Sequence, residues 1–215
     1  MQNILIGSGF YSNIDDRSSK LSLLFDWLKN TSKVSSRIVI VDNSDFGLWK
    51  INETIRIKRN LGHAGDALNI VSKHRLLGWS VSWMIPAVIA YSEGLDFVYK
   101  EQDCLAFGDW LPIIRRGRMT IGRNATMPCE QSLFFIRNDF ILQFVTAYLN
   151  IPDSDAVMST EHKFFEIMAA FDDIHFHDLP GGRDRPLPKD FTAPFYLQRI
   201  TTEEMEVLEN ARLIP

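Results

Sequence analysis

Phe97-Val-Tyr-Lys-Glu-Gln-Asp103 decides how the rest of this chain is read. Four residues suited to a buried strand run directly into two acids separated by one residue, so the strand carries Glu101 and Asp103 to its own carboxyl end. In sheets covered by helices on both faces, ligands gather at that end. Carboxylate oxygens suit Mg²⁺ or Mn²⁺, and a divalent ion that also holds a diphosphate relieves the repulsion between two neighbouring acids. An acidic surface turn has the same spacing, so the surrounding sequence has to decide between the two.

Upstream, residues 3–6 read as a short apolar strand, Leu21, Leu24, Phe25 and Leu28 as a helical stripe, and residues 38–41 as a second strand. Ile38-Val-Ile-Val is apolar without alternation, as a strand covered on both faces requires, and it ends in Asp42-Asn-Ser-Asp. A weaker strand at 55–58 precedes the glycine-bearing turn Asn60-Leu-Gly-His-Ala-Gly, which opens a helix expected to stop near Gly78. A second helix then runs through Tyr91 with Pro86 in its first turn and Gly94 closing it. This order of strands and helices predicts an α/β fold with a mostly parallel sheet.

The second half is more α+β. Strands at 119–122, 133–136 and 174–177 alternate with helices striped by Phe140/Ile141/Phe144/Val145/Tyr148 and Phe164/Phe165/Met168/Ala169. Leu179-Pro-Gly-Gly-Arg-Asp-Arg-Pro-Leu-Pro188 reads as a loop, and Thr201-Thr-Glu-Glu204 has the spacing of a capping box.

Composition narrows the function classes. The 215 residues are 46% hydrophobic and 23% charged, enough for one globular domain with a real core. With 23 Lys+Arg against 27 Asp+Glu the net charge is −4, which argues against a duplex nucleic-acid binder. Cys104 and Cys129 fit no paired metal spacing; a reducing, cytoplasmic setting is the simpler expectation, with a bridge between them left open. No apolar run approaches the roughly 18 residues of a membrane span.

The order of Ile6-Gly-Ser-Gly-Phe-Tyr11, Val41-Asp-Asn-Ser44, Asn60-x-Gly62 and Glu101-Gln-Asp103 resembles that of GT-A glycosyltransferases over about residues 3–145. The resemblance implies a three-layer α/β/α single domain over residues 1–215, with a nucleotide-binding half at about 1–108 and an acceptor-side half at about 109–215. It also implies transfer of a sugar from a nucleoside-diphosphate donor to a glycan or other hydroxyl acceptor, with Mn²⁺ or Mg²⁺. On that pattern Gly7, Phe10 and Tyr11 open the nucleoside pocket, Asp42 contacts base or ribose, and Asn60 and Gly62 lie on the donor side. Glu-Gln-Asp stands where Asp-x-Asp is usual, so Asp103 is the direct metal ligand while Glu101 reaches the metal through water or contacts the sugar. A carboxyl-terminal histidine completes the metal set in many members. His175 and His177 alternate on one strand, and His177, next to the loop, is the better placed.

Further roles follow from the same resemblance. Arg183 and Arg185, after a double glycine, would fold over a diphosphate, with Lys100 joining them if its side chain faces that cleft; solvated loop arginines are the plainer alternative. Glu130 and Glu161 are the candidate catalytic acids: one acts as base if configuration inverts, and both hold sugar hydroxyls if it is retained. Glu161 in a first helical turn is also favoured by the helix dipole alone. Trp79, Trp83 and Trp110 have spacings that suit a core as well as a sugar platform.

Three rivals remain. A dinucleotide-binding oxidoreductase would use Gly7-x-Gly9, but Ser12 occupies the third glycine position and Asp42 lies too far on. A sugar-nucleotide pyrophosphorylase carries an Arg and a Lys at set positions of its glycine-rich loop, which this first loop does not reproduce. A catalytically silent module of the GT-A type would bind a nucleotide sugar or glycan without turning it over. Zinc or thiol catalysis has no two-histidine helix or cysteine signature behind it.

Overall fold

The computed structural model describes residues 3–12, 15, 17–44, 46–48, 53–57, 77–123, 126, 128–151, 159–182 and 186–214. The glycine-bearing turn with Asn60 and Gly62, the helix after it, and Arg183 and Arg185 lie outside the described residues. Strands are β1 (Ile4–Phe10), β2 (Ile38–Asp42), β3 (Glu53–Arg56), β4 (Asp96–Lys100), β5 (Cys104–Phe107), β6 (Met119–Gly122), β7 (Glu130–Ile136), β8 (Ile174–His177), β9 (Gly181–Gly182) and β10 (Phe195–Gln198). Helices are α1 (Arg17–Ser32), α2 (Leu77–Ser92), α3 (Leu111–Ile114), α4 (Asn138–Asn150), α5 (Thr160–Met168) and α6 (Thr202–Asn210).

Seven strands form the main sheet in the order β3-β2-β1-β4-β7-β6-β8, in which β7 alone runs against the others. The chain winds outward from β1 to β3 and returns to β4 on the other side of β1. The ends of β1 and β4 therefore flank the topological switch point, where open α/β sheets bind ligands. A small sheet, β5-β10-β9, stands beside it.

The continuous apolar runs follow from burial on both faces. Ile4, Ile6, Ile38, Ile40 and Val98 pack with α1, α3 and the small sheet, whereas Leu5, Val39, Phe97, Tyr99 and Phe134 pack with α2, α4 and α5. Trp83 fills the second layer at 5.0 Å from Tyr148 and 5.4 Å from Phe164, in edge-on contacts suited to ring quadrupoles.

Several sequence expectations are corrected here. Pro86 and Gly78 both lie inside α2, and Pro86 is well past the first turn. Its ring lies on β1, where glycines make room for α2: a Cβ on Gly7 would stand 2.6 Å from Pro86 Cβ, and one on Gly9 would overlap Ser82. Strand β3 begins two residues earlier than its apolar pattern suggests. Phe25 and Phe165 are exposed, while Trp27 and Ile167 take the inward positions on their helices. The double glycine pairs with Tyr196 and Leu197 as β9 instead of belonging wholly to a loop. Gly181 at φ 100° brings its backbone against Tyr196 too closely for any side chain. Cys104 and Cys129 are free and belong to opposite cores, so no bridge joins them. The capping box of Thr201 and Glu204 is present as expected. Among the described residues no helix is long and apolar enough to cross a membrane.

Candidate active site

Residues 97, 99 and 101 share one face of β4 and 98 and 100 the other, by the period of two. Glu101 therefore emerges on the side of α2 and α5. Its Oε1 accepts a hydrogen bond from Trp79 Nε1 at 3.1 Å, and its Oε2 accepts one from the side-chain amide of Gln198 on β10. Burial pushes the Glu101 carboxyl up to about 8, reinforced by the charge of Asp103 and then by Glu130 and Glu161, against the pull of the Trp79 hydrogen bond. The acids just after β4, at the start of β7, which begins three residues earlier than the sequence reading, and in α5 thus converge closely enough to feel one another. Burial and the same two motif acids also raise the Tyr99 phenol well above its ordinary value.

Glu130 begins β7 and is buried, with Oε1 accepting from Ser132 Oγ at 3.0 Å. Glu161 sits in the first turn of α5, whose N-cap Ser159 accepts from His162 N, and its Oε2 accepts from Thr160 Oγ1 at 3.2 Å. Gln131 donates to Thr160 and ties the start of β7 to α5 beside the two acids. Gln131, Trp79 as a donor and Gln198 were not legible as site residues, because their partners come from distant elements.

Lys100 points away from this cluster. It is fully buried on the α1 side, with Nζ donating to Asn30 Oδ1 at 2.5 Å and Thr31 Oγ1 at 2.9 Å and standing 5.1 Å from the Trp27 ring. Burial lowers its pKa to about 7. Asn30 also brackets β5, donating to Ala106 O at 2.8 Å and accepting from Ala106 N at 3.1 Å.

The donor-side residues sort by accessibility. Gly7 and Gly9 lie within β1 and make room for α2, so Gly7-x-Gly9 is a packing device and not the turn of a dinucleotide fingerprint. Phe10 is 1% exposed and packs edge-on against Phe46, so it presents no face to a base, whereas Tyr11 just beyond it is half-buried. Asp42 is completely buried: Oδ1 accepts from Ser44 N and Oγ at 2.9 and 2.6 Å, and Oδ2 from Leu48 N and Arg56 Nη1, both at 2.7 Å. Burial would raise its pKa, but these hydrogen bonds outweigh burial and hold it below the usual value. Its carboxylate builds the loop after β2 instead of facing a base or ribose.

Glu101 and Asp103 are all-oxygen, mutually repelling donors of the kind a hard divalent ion takes, although both Glu101 oxygens already accept hydrogen bonds from Trp79 and Gln198. His177 stands apart in its bonding, with Nε2 3.1 Å from the Leu133 carbonyl oxygen and its ring edge-on to Tyr196 at 5.5 Å. Among the described residues no three His, Cys, Asp or Glu side chains are grouped so as to hold an ion by themselves, so the trio Glu101, Asp103 and His177 is not assembled. Such an ion would draw its other ligands from water and a bound diphosphate. His175 instead contacts Asp173 at 3.0 Å on the surface. Trp83 and Trp110 are buried in the two cores and offer no platform to a sugar.

No protein-family model matches the chain, and no curated protein matches it in sequence. Among solved structures, a glycosyltransferase involved in the glycosylation of the major capsid of PBCV-1 superposes with a TM-score of 0.57 at 10% identity over 98% of each chain. The apo-form glycosyltransferase GlyE of Streptococcus pneumoniae reaches 0.49 at 12% identity, over 94% of this chain and 55% of that one. An active-site mutant of LgtC reaches 0.48 at 9% identity, over 96% and 95%. The first match carries the comparison, and at 10% identity it speaks for the fold alone. Together with the mostly parallel seven-stranded sheet, it shows that this chain has a GT-A-like fold, the fold of glycosyltransferases.

Proposed function

We propose that the protein is a glycosyltransferase that moves a sugar from a nucleoside-diphosphate donor to a hydroxyl acceptor. One observation carries the reading: at the carboxyl end of a GT-A-like sheet, Asp103, Glu130 and Glu161 lie near enough to Glu101 for all three to disfavour its ionised form. An acidic cluster of this kind is costly to keep ionised without a cation or a proton to share. A bound Mn²⁺ or Mg²⁺ would supply charge stabilisation for the departing diphosphate. Asp103 and Glu101 are the residues to hold it, and Tyr11 is the accessible residue on the nucleoside side. Glu130 and Glu161 face the acceptor: either one removes the proton from the attacking hydroxyl, or both orient sugar hydroxyls.

The test is turnover of a panel of UDP-, GDP- and TDP-sugars with Mn²⁺, comparing wild type with Asp103→Asn. Loss of at least about 100-fold in donor hydrolysis or transfer, with an unchanged melting temperature, is expected. Unchanged turnover removes Asp103 from the metal site. A silent nucleotide-sugar or glycan-binding module is favoured by the occupation of both Glu101 oxygens by protein donors, and it would bind a donor without consuming it.

A further inference from the structure

The middle residue of the acidic motif has a bonding pattern of its own. Gln102 Oε1 accepts from the Tyr11 backbone N–H at 2.7 Å, and Gln102 Nε2 donates to the Tyr11 carbonyl oxygen at 3.2 Å. One side-chain amide thus satisfies both backbone groups of one residue, as a neighbouring strand would. Tyr11 is the first residue past β1, and Gln102 follows β4 by two positions, so the bond pair spans the switch point between these adjacent parallel strands. Beyond it the ladder between the strands has ended, their last paired residues being Gly7 and Tyr99.

The neighbours of Gln102 tie the same turn elsewhere. Glu101 N donates to the Ser132 carbonyl at 2.9 Å and Cys104 N to the Glu101 carbonyl at 3.0 Å. Phe10 O accepts from Asn43 N at 2.8 Å, which fixes the residue before Tyr11 to the loop after β2. The acidic turn and the β1 exit are each anchored to their own side of the sheet. Gln102 joins the two anchored pieces.

We propose that Gln102 is a positioning residue that couples the nucleoside side of the site to its metal side. The inference rests on the transferase reading above, in which Tyr11 borders the nucleoside and Glu101 and Asp103 hold the cation on the diphosphate. A nucleoside diphosphate touches both pieces at once. With the amide in place the two pieces are pre-ordered relative to each other, so order contributed by the cation is felt by the nucleoside and the reverse. Without it each subsite must be ordered separately, and the mutual enhancement falls.

Two measurements on the full chain test this, using Gln102→Met, which keeps length without an amide, and Gln102→Glu, which keeps the acceptor for Tyr11 N–H but sets an oxygen against the Tyr11 carbonyl. Hydrogen exchange at the Tyr11 amide is expected to quicken at least about tenfold in Gln102→Met at an unchanged melting temperature. Unchanged exchange overturns the latch. Calorimetry with UDP, GDP, CDP and TDP, each with and without Mn²⁺, gives the factor by which the metal tightens the nucleotide. That factor should fall at least about fivefold in Gln102→Met and by less in Gln102→Glu. An equal factor in wild type and Gln102→Met overturns the coupling while leaving the transferase reading intact. A wild type that binds none of the four under either condition overturns the transferase reading itself.

Discussion

Lys100 and Glu101 are consecutive in the chain and belong to opposite layers: the ammonium lies 2.5 Å from Asn30 Oδ1 on the α1 side, and the carboxylate accepts from Trp79 Nε1 at 3.1 Å on the α2 side. A buried base next to a buried acid would suggest an ion pair, and the alternation of the strand prevents it. Each group answers to its own surroundings, and burial moves each away from its ordinary value, the base down to about 7 and the acid up to about 8.

For Lys100 this sets a pH dependence. Its folded pKa of about 7 lies below the ordinary 10.5, so between these values the unfolded chain holds a proton that the folded one has released. Stability from this group therefore rises with pH across that window, by at most about 1.4 kcal/mol per pH unit. Denaturant unfolding from pH 7 to 10 should show wild type gaining on Lys100→Met. Parallel curves for the two proteins would contradict the buried, hydrogen-bonded placement.

Asp42 gives the opposite sign. Its folded pKa lies below the ordinary 3.8, so its contribution is complete above that value and is lost as pH falls through the folded one. Asp42→Asn places an amide against the Leu48 N–H and the Arg56 guanidinium, which should cost about 2–4 kcal/mol at pH 7. That corresponds to roughly 5–15 °C in Tm for a chain of this size. The gap between variant and wild type should narrow below pH 4, and a gap that stays constant would count against the four-bond carboxylate.

Gly7→Ala tests why the first strand carries glycines. The added methyl meets Pro86 Cβ at 2.6 Å and Phe97 Cε2 at 2.7 Å, so α2 has to move off β1. Overpacking of this kind costs about 1–3 kcal/mol, and the loss should appear in Tm in the absence of any nucleotide. A variant as stable as wild type with weakened nucleotide binding would return Gly7 to the donor site.

The glycines, Pro86 and Asp42 show where the sequence could be read and where it could not. Strands such as Ile38-Val-Ile-Val were legible because burial on two faces leaves a continuous apolar run. Glu101, Asp103 and Glu130 were legible beside strands and meet because β4 pairs with β7, whereas Glu161 was legible only as a first-turn helix residue and reaches them through the packing of α5. A glycine spacing, in contrast, has the same appearance whether backbone or ligand approaches it, and only the path of α2 distinguishes these. Phe25 and Phe165 looked like stripe members because a two-position window cannot tell which side of a stripe faces inward. β6 and β8 were read at four residues each, whereas β5 and β10, no shorter, were missed beside the acidic turn and after the proline-rich loop, and β9 is a Gly-Gly pair that carries no side-chain period. Gln198 entered through the β5–β10 pairing, and Gln102 through its side-chain bonds to the Tyr11 backbone.

The central claim is that the acidic turn and the β1 exit form a metal-assisted nucleotide site, and thermal stability tests it most directly. Melting temperatures are measured with UDP, GDP, CMP, TDP and NAD, each with and without Mn²⁺, since a ligand of the native state raises Tm by linkage. A rise with one of the nucleoside diphosphates that depends on Mn²⁺ and is lost in Asp103→Asn is predicted. A rise with NAD alone, or no rise with any combination, would contradict it.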